Sequence, residues 1–90
     1  MNYTLNAQKK LEALLEAVGY VIRYEKGNFN SGYCLVQNKK IAVINKFFTT
    51  EAKINSLIEI INAIIGEADV TALDDKQTKF LAQIIVKNDD

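Results

Sequence analysis

Two short runs of this chain, Tyr33-Cys34-Leu35-Val36 and Ile41-Ala42-Val43-Ile44, are apolar at every position. Both are rich in β-branched or aromatic residues, which favour extended backbone. The polar residues between them suit a tight turn, at Asn38-Lys39 or Lys39-Lys40, so the runs predict a hairpin. Any two-residue turn there puts Cys34, Val36, Ile41 and Val43 on one face. Tyr33, Leu35, Ala42 and Ile44 fall on the other. A half-buried antiparallel sheet would alternate apolar and polar residues. This hairpin is apolar on both faces, so the fold must cover both, with its own helices or with a second molecule.

Helical spacing flanks the hairpin. Leu11, Leu14, Leu15 and Val18, with Ala7 one turn earlier, form a single apolar stripe. Thr4 or Asn6 can cap its start, and Gly19 stands where a left-handed C-terminal cap is wanted. Tyr20 to Lys26 reads as a strand, with Tyr20, Ile22 and Tyr24 on one face. A glycine-bounded loop, Gly27 to Gly32, follows. After the hairpin, Thr49 or Thr50 caps a second helix. Its stripe is Ile54, Leu57, Ile58, Ile61, Ile64 and Ile65, widened by Ile60. Ile58 and Ile61 lie near the centre of that arc and are expected to face the sheet. Ile60 and Ile64 lie toward one edge, placed to meet a neighbouring helix or a second subunit. Thr71 or Asp74 starts a last helix with Leu73, Phe80, Leu81, Ile84 and Ile85 as its apolar residues.

The element order is α-β-β-β-α-α, and the class is α+β. The expectation is one domain over residues 1–90, a three-stranded antiparallel meander with about three helices, and a frayed tail at 87–90. A chain of this length buries only about 60–65% of the surface its unfolded form exposes. A dimer or another partner would therefore add stability.

The residue inventory excludes much chemistry. There is no histidine, which removes the commonest general base and the commonest metal ligand. Cys34 is the lone cysteine, and its mid-strand position predicts a packed core or interface thiol. The acidic residues Glu59, Glu67, Asp69, Asp74 and Asp75 lack calcium-loop spacing and fit solvated or helix-capping roles. The expectation is no catalytic residue, no cofactor and no metal. The lone thiol, and a Met1-Asn2-Tyr3-Thr4 start without a basic or apolar run, point to the cytoplasm. The greasiest stretch, Ile54 to Ile65, is interrupted by Asn55, Ser56, Glu59 and Asn62, and is well short of the ~20 residues that span a bilayer.

Formal charge is zero but unevenly placed. Residues 20–53 carry Arg23, Lys26, Lys39, Lys40, Lys46 and Lys53 against Glu25 and Glu51, whereas acidic residues dominate 54–90. Tyr20, Tyr24, Phe29, Tyr33, Phe47 and Phe48 interleave with the basic residues, a composition shared with single-stranded nucleic-acid modules. The Gly27–Gly32 loop has two readings. Gly27, Asn28, Phe29 and Gly32 can form a ligand loop, or the segment is a plain connection with Phe29 folded onto the core.

The run Tyr24-Glu25-Lys26-Gly27-Asn28-Phe29, then Gly32-Tyr33-Cys34, then Ile44-Asn45-Lys46 resembles a family of small uncharacterised bacterial proteins with an RYxKGxFxxGYC…INK pattern. The resemblance covers roughly residues 18–62 and implies a small bacterial cytosolic protein with no assigned activity. A weaker, topological similarity links the strand 41–45 and the following helix to zinc peptidases, whose paired metal-binding histidines are absent here. Three functions follow as expectations. The first is a non-catalytic, self-associating protein-interaction domain, with Tyr33, Leu35, Ile44, Phe47, Phe48, Ile60 and Ile64 as partner-binding residues. The others are a nucleic-acid-associated module using residues 20–53, and an enzyme-fold remnant without catalytic groups.

Overall fold

A computed structural model describes residues 3–85; the expected tail at 87–90 lies outside them. The chain runs α1 (Leu5–Ala17), β1 (Tyr20–Glu25), β2 (Gly32–Val36), β3 (Lys39–Asn45), α2 (Thr50–Ile64), a short 3₁₀ turn (Val70–Ala72) and α3 (Asp75–Ile84). This is the expected α+β order. Each helix start has its cap. Thr4 Oγ1 accepts from the Ala7 N–H, Thr49 Oγ1 from the Ala52 N–H, and Asp74 from the Gln77 N–H. Gln77 returns the bond to the Asp74 N–H, closing a capping box. Gly19, at φ +96°, makes the left-handed step from α1 into β1.

The sheet differs from a meander. Its order is β1-β3-β2, with β3 parallel to β1 and antiparallel to β2. The segment between β1 and β2 is therefore not a hairpin turn. It crosses the end of β3, which enters the sheet between the two earlier strands. The β2–β3 turn also sits earlier than expected, at Gln37-Asn38, since Val36 pairs with Lys39. Both turn residues have positive φ, as the two-residue turn that matches strand twist requires.

α1 and α2 pack on one face of the sheet, and α3 joins the same core. Leu11, Leu14 and Leu15 of α1 share one core with Ala42 and Ile44 of β3. Ile54, Leu57, Ile60, Ile61 and Ile64 of α2, with Leu81 and Ile84 of α3, complete the core. Tyr20, Ile22 and Tyr24 border it from β1. The arc of α2 is buried differently from the expectation. Ile60 and Ile64 are 4% and 5% exposed, whereas Ile58 is only half-buried. That edge of the stripe is buried in the chain's own core. Asn62, on the same helix, donates to the Ile84 carbonyl at 3.0 Å and ties the end of α3 to α2. Ile44, Ile60 and Ile64 are thus interior residues and not part of a partner surface.

Candidate functional site

β2 is an edge strand whose outer side has no strand neighbour among the described residues. Tyr33, Cys34, Leu35 and Val36 are all exposed, Leu35 by 65%. Tyr33 and Leu35 point to the helix side but lie beyond the helices. Cys34 and Val36 point to the opposite face, where Val21 is also exposed and Ile41 and Val43 are sheltered at the centre. Among the described residues no helix covers that face, so Cys34, expected as a core or interface thiol, is not in the core of the single chain. Edge strands are usually blunted by a charge, a proline or a bulge. The residues of β2, Gly-Tyr-Cys-Leu-Val, supply neither a charge nor a proline. Of the remaining expected partner residues, Phe47 is 69% exposed beyond β3, while Phe48 is half-buried.

The glycine-bounded loop is organised from inside by Asn45, which is 4% exposed. Its Nδ2 donates to the carbonyls of Gly27 (3.0 Å) and Phe29 (2.7 Å). Its Oδ1 accepts from the Phe47 N–H at 2.9 Å, and its own N–H donates to Ser31 Oγ at 3.0 Å. Phe29 folds back on Gly27, where a Cβ would lie 2.8 Å from the ring edge. The carbonyls of Gly27 and Phe29 are therefore engaged internally. Asn28 is exposed and Gly32 opens β2. This arrangement gives the loop the structural task of crossing β3. Gly27, Phe29 and Asn45 share that task.

A polar cluster joins α1 to β1. The Tyr24 hydroxyl donates to Glu12 Oε2, and Gln8 Nε2 donates to both Glu12 Oε2 (3.2 Å) and the Tyr24 oxygen (2.9 Å). Burial, then the bond to Glu12, raises the Tyr24 pKa well above its ordinary 10.0. The folded chain therefore keeps this proton at a pH where the unfolded chain releases it. The associated stability is complete below about pH 10 and is lost as pH rises beyond it. The parent's urea midpoint should fall between about pH 8 and about pH 11. Tyr24→Phe should show a shallower fall. Tyr20, also raised by burial and then by Tyr33 and Glu67, stays in both proteins, so the difference isolates Tyr24. Parallel pH profiles for the two proteins would refute the assignment.

A cleft of about 450 Å³ lies between α1 and α3, lined by Lys10, Ala13, Lys76, Gln77, Lys79, Phe80 and Gln83. Lys10 Nζ stands 5.9 Å from the centre of the Phe80 ring. Sequence reasoning missed this group because it followed only apolar stripes. Lys76, Lys79, Phe80 and Gln83 fall at i, i+3, i+4 and i+7 of α3, a helical face carrying cations.

The basic and aromatic residues of 20–53 do not share one surface. On the helix side, Lys40 lies over the Tyr20 ring and Lys53 over the Tyr24 ring, at 5.9 and 5.6 Å. Arg23 and Lys39 alternate to the opposite face, whose other residues are aliphatic or cysteine near the centre. Among the described residues no group of three His, Cys, Asp or Glu side chains is placed to hold a metal ion, and no helix is long and apolar enough to cross a membrane. No protein-family model, curated protein or solved structure matches the chain.

Proposed function

We propose that this chain is a non-catalytic protein-interaction domain that associates with a second copy of itself through β2. The observation that carries the reading is an uncharged edge strand with apolar side chains exposed on both faces. Its free N–H and C=O groups are a ready template for another strand. Closed two-fold dimers are the commonest homo-oligomers, and a two-fold axis beside an edge strand pairs it antiparallel with its own copy. Tyr33 and Leu35 then meet their counterparts on one side, Cys34 and Val36 on the other. Cross-strand pairs of aromatic and branched residues stabilise such a junction. The result is a continuous six-stranded sheet.

Light scattering at tens of micromolar should give twice the chain mass. Leu35→Lys sets two ammonium groups against each other across the axis and should weaken association at least tenfold. Leu35 is largely exposed, so the variant should keep the parent's urea midpoint. Cys34, exposed and alone, accepts a spin label whose spectrum should broaden in the dimer. A monomer mass for the parent would overturn the proposal, as would a Leu35→Lys protein that dimerises like the parent.

A further inference from the structure

We propose that the cleft between α1 and α3 binds a small phosphate ester of an aromatic or heteroaromatic ring. Three lysines line it: Lys10 on the α1 wall, Lys76 and Lys79 one turn apart on the α3 wall. No Asp or Glu lines the cleft. Among the described residues Lys76 and Lys79 have no ion-pair partner. Like charges one turn apart on a helix repel, and a third across the cleft adds to the cost. A phosphate dianion between them removes that repulsion and forms charge-assisted hydrogen bonds. The cations do not stand alone, which separates this cleft from an ordinary solvated surface. Phe80, half-buried, forms an aromatic wall, and Ala13 lines the cleft with a side chain small enough to leave room for a flat ring. The Lys10 ammonium beside the Phe80 ring places the anion position next to the ring position. Gln83 and the Nε2 of Gln77 supply amide groups for polar ring edges; Gln77 Oε1 is already held by the Asp74 N–H. The volume falls within the ~300–1,000 Å³ of small-molecule sites. The proposal is independent of the β2 edge, which belongs to another part of the molecule.

The test is a titration of the ¹⁵N-labelled full chain with adenosine diphosphate, with inorganic phosphate and adenosine as matched probes. The diphosphate should shift amides at 10–13 and 76–83 and bind at least tenfold more tightly than either fragment. Raising salt should weaken it, because the contacts are charged. Lys76→Gln combined with Lys79→Gln should lose at least tenfold in affinity while the rest of the spectrum stays unchanged. These lysines are exposed, so the fold should not depend on them. Phe80→Leu should reduce the diphosphate to the affinity of inorganic phosphate. Absence of shifts at 76–83 up to about 5 mM, a range that still detects millimolar binding, would overturn the proposal. So would unchanged affinity in the double lysine variant, or inorganic phosphate binding as tightly as the diphosphate.

Discussion

Ile60→Asp should unfold the domain at neutral pH. Ile60 is 4% exposed and belongs to the same core as Leu11, Ile44 and Leu81. Losing the isoleucine side chain forfeits about 1.5–3 kcal/mol of apolar burial. Holding a carboxylate there costs about 4–7 kcal/mol more at pH 7, because a buried carboxyl resists ionisation. Domains of this kind have about 5–15 kcal/mol in total. Far-ultraviolet circular dichroism should show lost helix at pH 7 and partial recovery near about pH 3, where the carboxyl is mostly protonated in both states. Ile58→Asp, at a half-buried position, should be milder. A folded Ile60→Asp protein with the parent's urea midpoint would mean that this side of α2 faces outward.

Asn45→Ala should cost about 2–4 kcal/mol, far more than a typical asparagine substitution. The side chain satisfies three backbone groups at once: the carbonyls of Gly27 and Phe29 and the N–H of Phe47. Alanine leaves all three without that partner in a partly buried place, at ~1–3 kcal/mol for each group that water cannot reach. Asn45→Asp should be worse. It loses both donated bonds and sets a negative charge against two carbonyl oxygens. Amide exchange should accelerate first at residues 26–31, and the urea midpoint should fall with it. An unchanged midpoint would show that the crossing loop holds itself.

The helices were legible in the chain, and their starts to within a choice of two residues each. The 3.6-residue spacing of Leu11, Leu14, Leu15 and Val18, and the caps Thr4, Thr49 and Asp74, depend on neighbours within one turn. Strand direction was not, because alternation carries no sign for parallel or antiparallel pairing. The segment 26–31 is long enough either to turn back or to cross over. Asn45, far along the chain, holds it in the crossing. The hairpin's two apolar faces were readable, and the face sets of Cys34 and Tyr33 stand as expected. Which face the helices would take was not readable; Cys34, expected in the core or at an interface, is outside the core and exposed in the single chain. Ile60 and Ile64 stand at the edge of a wide stripe, but the stripe cannot say whether the chain's own core or another molecule covers it. The lysine-lined cleft depends on Lys10 and Lys76 meeting across a fold, which no local pattern encodes.

The sheet order also dictates how the chain can assemble. β3 is the last strand in sequence yet sits in the middle, so β1 has no strand to pair with until β3 arrives. The Gln37-Asn38 turn closes the β2–β3 pair over a few residues, whereas Tyr20 must find Lys40 across a much longer stretch. Short loops close at lower entropic cost, so the hairpin forms first and docks on β1 as a finished unit. An emerging chain that ended within β3 would leave β1 without its strand partner, so β1 gains both later strands in one step and not strand by strand.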